Sequence, residues 1–204
     1  PRLLEAALSE PPVAPTLARV RLPFDDRADA EMLGALDELA RHLGDACFEA
    51  ELPPLFAEGT IAQRTVQHAE LARAFGHYER RGADRLSAET REAIAHGRTI
   101  GAVDYLSARD WPDVLNAGLD ELFERCDALL VPAAPGAAPA GFETTGDAIF
   151  NGLWTLCGVP AITLPLLESS NGLPMGVQLI GRRGDDARLL RTARWLESLM
   201  ESDG

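Results

Sequence analysis

The spacing of apolar positions changes several times along the chain, and each change predicts an element. Residues 17–23 (LARVRLP) alternate apolar and charged side chains, which predicts a strand with one wet face. Asp25, Asp26 and Asp29 follow as a negative helix entrance, and Leu33, Leu36, Ala40 and Leu43 recur at helical spacing until Gly44 stops the run. Cys47–Leu52 returns as a second short strand before Pro53-Pro54. Strand, helix and strand in succession point to an α/β layer rather than a helical bundle.

The stretch 57–126 reads as a mainly helical region. Residues 57–81 carry Ile61, Val66, Ala69, Leu71 and Phe75 around their apolar flanks, and a second helix opens near Ser87, whose hydroxyl is placed to cap free N–H groups. Thr99–Cys126 supplies Val103, Leu106, Leu115, Leu119, Leu122 and Phe123, with Trp111-Pro112 predicting a break or a new helix start. Ala128–Val131 is a buried-strand pattern ended by Pro132, and the Ala/Gly/Pro-rich stretch after it reads as a loop held over a cleft. The apolar-aromatic run Ile149–Val159 comes next. Ala161–Leu164 and Gly176–Ile180 are further strands, separated by a Ser169-Ser170-Asn171-Gly172 turn signal. A closing helix follows Asp185 and Asp186, with Leu189, Leu190, Ala193, Leu196 and Met200 on one face. Residues 1–16, broken by Pro11, Pro12 and Pro15, read as a linker or the tail of something upstream, and a first residue of Pro1 points to a truncated or processed product.

Composition narrows the function classes. A length of 204 residues with 46% hydrophobic and 25% charged side chains fits a globular domain. The net charge of −13 argues against nucleic acid or anionic membrane as a partner. No apolar run is long enough to cross a bilayer, and cytoplasmic location is the default expectation. Cys47, Cys126 and Cys157 are sparse and odd in number, which fits free thiols. His42, His68, His77 and His96 show no metal-ligand spacing, and no phosphate or dinucleotide loop occurs, so no metal or cofactor is expected. All 19 basic residues are arginine. A chain without lysine has no neutral amine to act as a general base, because arginine stays protonated.

Two segments carry a resemblance. Residues 127–165, DALLVPAAPGAAPAGFETTGDAIFNGLWTLCGVPAITLP, and 172–197, GLPMGVQLIGRRGDDARLLRTARWLE, resemble the amidase-signature family. The shared pattern is a strand ending in proline, a Gly-Asp ahead of an aromatic-Asn pair, a Gly-x-Pro, two strands about a Gly-Leu-Pro turn, Gln-Leu-x-Gly, and a terminal helix. The resemblance implies a mixed-sheet α/β/α fold in which 17–204 is the C-terminal part of an amidase domain. It further implies hydrolysis of linear amides by a Ser–cis-Ser–Lys triad that lies upstream of the residues represented here. The partners implied are a small amide substrate and a missing N-terminal catalytic half, with a homodimer among the assemblies left open. A non-catalytic structural or interaction module descended from such an enzyme is the alternative. The isolated chain is expected to be inactive, and its sheet to bear apolar surface that the missing half would cover.

No residue of the chain is expected to be catalytic, and Ser169-Ser170 reads as a polar turn. In the family, the loop corresponding to 141–154 shapes the substrate cleft, which carries over to Thr145, Gly146, Asp147, Phe150, Asn151 and Trp154 as substrate-binding candidates. Each has a structural reading beside it. Asp147 either caps the following helix or meets a substrate amide. Asn151 either bridges backbone groups or touches substrate, and Phe150 and Trp154, four apart on one helix face, are core or cleft wall. Thr144 and Thr145 offer hydroxyls that also suit loop hydrogen bonds. Gln178, polar within an apolar strand, needs a partner if buried. Arg91, Arg98 and Arg109 are candidates for a substrate carboxylate or parts of a wet helix face.

Overall fold

The computed structural model describes residues 14–141, 144 and 146–202, together with residues 5, 9 and 10. Most of the expected N-terminal linker therefore lies outside the described residues. Strands β1 (Leu17–Arg21), β2 (Cys47–Glu51), β3 (Ala128–Pro132), β4 (Ala161–Glu168) and β5 (Pro174–Gly181) form a mixed sheet in the order β2-β1-β3-β5-β4. β1 runs parallel to β2 and β3, while β5 is antiparallel to β3 and β4. Parallel neighbours need crossovers. Helix α1 (Ala30–Leu43) supplies the first, and α2 (Leu55–Gly82), α3 (Ala88–Gly97) and α4 (Ala102–Phe123) lie between β2 and β3. Helix α5 (Ile149–Cys157) precedes β4, and α6 (Asp186–Ser202) closes the chain.

Strand alternation divides the interior into two cores. Ala18, Val20, Leu129, Val131 and Ile180 face Phe56, Leu115, Leu119, Phe150, Leu153 and Trp154 of α2, α4 and α5. Leu17, Ala128, Leu130, Val177 and Leu179 face Met32, Leu36 and Leu39 of α1 and Leu189, Ala193 and Leu196 of α6. The result is the expected α/β/α layering. Gly44 ends α1 at φ 53, Ser87 accepts the Thr90 N–H at the start of α3, and Ser169 bonds Asn171 and Leu173 in the β4–β5 turn.

Four expectations need correction. First, the charged face of β1 is wet only at Arg21. β1 lies between two strands with α1 over it, and Arg19 is 0% exposed. Its guanidinium donates to Asp37 Oδ1 at 3.1 Å and to the Val20 carbonyl at 2.6 Å, with Asp25 3.9 Å away. Second, Asp25 belongs to a separate 3-10 turn, Asp25–Arg27, and Asp29 precedes α1 without a side-chain capping bond. Third, Pro112 sits inside α4, which runs through it for 22 residues. A single proline withholds one N–H, and the buried Ala108, Leu115 and Leu119 hold the helix together across it. Fourth, the sheet is not the apolar surface of the molecule. Helices cover both faces of the central strands β1, β3 and β5, while edge strand β4 leaves Ala161, Thr163 and Pro165 exposed. Among the described residues the exposed large apolar side chains of regular elements lie on α2 and α4, including Ile61, Phe75, Val103 and Leu106.

Desolvation raises the Asp25 carboxyl above its ordinary value, against the opposing pull of the Leu22 backbone and of Arg19. The folded state thus binds this proton more tightly than the unfolded state, so stability falls as pH rises from about 3.9 through the folded value. Urea titrations across that range are expected to show this limb and to lose it in Asp25→Asn. Helices α2 and α3 pack so closely that a Cβ at Gly97 would lie 2.0 Å from the His68 carbonyl oxygen. Gly97→Ala is expected to cost about 1–3 kcal/mol in urea unfolding, outweighing the helix propensity gained.

Candidate functional site

The loop between β3 and α5 is tied down at three points. The Asp29 N–H donates to the Pro135 carbonyl at 2.8 Å, Asn151 Nδ2 donates to the Ala133 carbonyl at 3.2 Å, and Arg27 pairs with Asp147 at 2.5 Å. α5 begins just beyond it. Ile149, Phe150, Leu153, Trp154 and Cys157 form its buried face, and Gly158 ends it in the left-handed region at φ 65. Asn116 of α4 donates to the Cys157 carbonyl at 3.0 Å, satisfying an acceptor that the helix end leaves open.

On the opposite side of α5, a cavity of about 570 Å³ opens against α2 and α4. Its walls include Gln63, Gln67 and Glu70 of α2, Arg109 and Pro112 of α4, and Asn151, Gly152 and Thr155 of α5. A second hollow of about 280 Å³ shares Gln63, Gln67 and Gly152 with it and extends to Asp147, Arg64 and His68. Gly152 permits the approach of α2, since a Cβ there would meet Gln63 Oε1 at 2.9 Å. Amides, hydroxyls and single charges of both signs surround this space, a lining that can orient a small polar ligand.

The predicted site residues separate clearly. Asp147 borders the second hollow, with Oδ1 accepting the Ile149 N–H at 3.0 Å and Oδ2 facing Arg27. Asn151 borders the first cavity, and its Oδ1 accepts from Gln178 Nε2 at 2.8 Å. The buried Gln178 thereby finds its partner across the sheet–helix boundary. Gly146 has φ 86 and donates its N–H to Thr144 Oγ1 at 3.1 Å. Phe150 and Trp154 are enclosed in the core, and the Phe150 ring lies 5.7 Å from that of Phe24. Thr145 lies outside the described residues.

The three arginines also part company. Arg91 donates to the Ala83 and Leu86 carbonyls, and Arg98 pairs with Glu79, so both hold the α2–α3 corner. Arg109 lies at the cavity with its guanidinium over the Tyr105 ring. Gln63, Gln67, Glu70 and Thr155 were not among the predicted residues. Their signal is a polar stripe, with Thr60, Gln63, Gln67 and Glu70 at helical spacing along α2.

Other nucleophile chemistry is poorly served. Burial pushes the Cys126 and Cys157 thiols up to about 12, far from thiolate character at neutral pH. His68 and His96 meet edge to face at 4.9 Å, and desolvation, His96 and Arg64 together lower the His68 pKa. Among the described residues no group of three or more His, Cys, Asp or Glu side chains is placed to hold a metal ion, and no helix is long and apolar enough to cross a membrane.

This arrangement of sheet, loop and helix recurs in known proteins. The family model for Amidase matches residues 52–190, more than half of the chain. A solved structure described as an amidase superposes with a TM-score of 0.77 at 25% identity, covering 90% of this chain and 45% of that one. 6-Aminohexanoate cyclic dimer hydrolase shares the fold at a TM-score of 0.72 and 19% identity, covering 97% of this chain and 47% of its own. A glutamyl-tRNA(Gln) amidotransferase subunit from Neisseria meningitidis serogroup A is 33% identical over 145 residues, 66% of this chain and 30% of the relative. The chain belongs to the amidase family, in its amidase-signature branch, and spans less than half the length of these relatives.

Asn151 is the joint between loop, helix and sheet, which gives a test. Asn151→Ala leaves Gln178 Nε2 and the Ala133 carbonyl without their partner. A loss of about 1–3 kcal/mol is expected in denaturant unfolding, the cost of buried polar groups left unpaired.

Proposed function

We propose that residues 17–204 are the C-terminal part of an amidase domain and form one wall of a cleft that binds a small linear amide for C–N hydrolysis. The carrying observation is the cavity of about 570 Å³ between α2, α4 and α5, where Gln63 and Gln67 face Asn151, Gly152 and Thr155 of the family-matching segment. Asp147 borders the adjoining hollow, where its carboxylate caps α5 and pairs with Arg27, and Gly146 belongs to the loop that holds it there. Phe150 and Trp154 contribute by fixing α5 from behind rather than by touching substrate.

The chemistry itself belongs to residues that this chain lacks. In the family's scheme a serine oxygen attacks the amide carbon, the C–N bond breaks, and the amine departs with a proton. Water then cleaves the acyl-serine ester to release a carboxylic acid and regenerate the serine. The neutral lysine that accepts the serine proton through the bridging serine has no counterpart among 204 residues whose basic side chains are all arginine. That same absence favours the second reading, a structural or interaction module of amidase descent.

Ammonia release from simple aliphatic amides separates the two. The purified 204-residue chain is expected to release none above a protein-free blank, whereas the complete gene product is expected to turn over. A complete gene product that is folded and equally silent would leave the module reading. Turnover by the isolated chain, abolished by a substitution within it, would overturn the assignment of chemistry elsewhere.

A further inference from the structure

We propose that Asn171, in the β4–β5 turn, is a site of spontaneous covalent modification: its side chain closes on the Gly172 nitrogen, loses ammonia and leaves a carboxylate at position 171. The inference is independent of the amide-cleft reading. The chain contains three asparagines, and two of them, Asn151 and Asn171, precede glycine, which leaves the attacking nitrogen unhindered. The two Asn-Gly pairs are alike in sequence and opposite in structure. Asn151-Gly152 lies in the first turn of α5. There the departing nitrogen, Asn151 Nδ2, is held by the Ala133 carbonyl at 3.2 Å, and Oδ1 by Gln178 Nε2 at 2.8 Å. Reaction at that pair requires the helix start and both bonds to open together.

Residues 170–173 of the β4–β5 turn are exposed. Asn171 Oδ1 accepts from the Leu173 N–H at 3.1 Å and from the Ser169 hydroxyl. Reaching forward to Leu173 holds the side-chain carbonyl carbon alongside the intervening Asn171–Gly172 peptide, whose nitrogen attacks. The two donors polarise that carbonyl and stabilise the oxyanion that forms on it. Both bonds fall on Oδ1 and leave Nδ2 as the departing group. The bond that must open is the one from the Gly172 N–H to the Ser169 carbonyl, 2.8 Å long and in the exposed turn. The Gly172 nitrogen gives up its proton and bonds to Asn171 Cγ; the Cγ–Nδ2 bond breaks, and Nδ2 departs as ammonia with that proton. Water then opens the cyclic imide at either carbonyl, giving an aspartyl or isoaspartyl residue at position 171. One water is consumed and one ammonia released per chain, with no added amide, which keeps the event apart from turnover. The new charge falls where negative charge already lies. Glu31 of α1 accepts the Ser170 N–H, and Glu168 ends β4, so a carboxylate at position 171 opposes Glu31 and loosens the tie between turn and α1.

The test incubates the 204-residue chain in mildly alkaline buffer, native and in urea, with cooperative thermal unfolding as the check that the native sample is folded. Cleavage at glutamate puts Asn151 in residues 144–168 and Asn171 in residues 169–197, and mass spectrometry reads the gain when –NH2 becomes –OH. In the native chain the gain is expected at least about tenfold faster on 169–197 than on 144–168, because α5 must first open locally. In urea the two rates should approach each other. Asn171→Gln should abolish the gain on 169–197, which distinguishes position 171 from Gln178 on the same peptide. Asn171→Asp, the product with an unaltered backbone, should exchange the Ser170 amide with solvent faster than wild type. No gain on 169–197 in the native chain, equal gain on both peptides, or a gain that survives Asn171→Gln would overturn the assignment. A preference for 169–197 that persists undiminished in urea would refute selection by the fold, and an unchanged Ser170 amide in Asn171→Asp would refute the coupling to α1.

Discussion

Burial of one face of α5 is the constraint on which the site depends. Phe150, Leu153 and Trp154 are enclosed between the sheet and helices α2 and α4. Side chains of that size contribute on the order of 1.5–3 kcal/mol each when removed from water. Their burial sets the rotation of the helix about its axis, and that rotation turns Gly152 and Thr155 toward the cavity while Asn151, at its border, reaches back to the loop and β5. The polar bonds at the helix then specify register rather than supply bulk stability. Gln178 and the Ala133 carbonyl can both reach Asn151 only when loop, helix and β5 are correctly placed together.

A similar sharing of roles holds the end of the loop between β3 and α5. Asp147 answers the Ile149 N–H with one oxygen and Arg27 with the other, so capping and tethering occupy a single carboxylate. Capping and proximity to ligand were alternatives when only the residue order was considered. In three dimensions Asp147 caps α5 at a position that is also the edge of the second hollow. Arg19 shows a related principle on the other side of the sheet. Its charge is tolerated in the interior because Asp37 and the Val20 carbonyl accept its donors and Asp25 lies nearby.

The two-sided covering of the sheet relocates the exposed apolar surface. The central strands are already buried by helices on both faces, while Val103 and Leu106 of α4 and Ile61 and Phe75 of α2 remain exposed. Relatives more than twice as long share this fold, and the helical layer carries both the outward apolar positions and the cavity.

Much of this was legible in residue order, for reasons of local physics. The order of strands and helices, the Gly44 stop, the Ser87 cap and the Asn171-Gly172 turn emerge in the structure as predicted, whereas β4 runs on through Pro165 to Glu168 instead of ending at Leu164. The absence of lysine is likewise a property of composition, and it excludes the family's general base without any coordinates. Long-range choices were not legible. Whether alternating charges on β1 face water depends on which strands flank it, and Arg19 is buried because β2 and β3 both do. Whether Pro112 breaks a helix depends on the packing of Ala108, Leu115 and Leu119 across it. Which of three arginines reaches a cavity, and that Gln63 and Gln67 face α5 across it, follow from helix packing between segments far apart in the chain. Residue order determined the elements and the absence of a lysine base; tertiary packing alone decided which polar side chains share a space, because burial and proximity are properties of several segments at once.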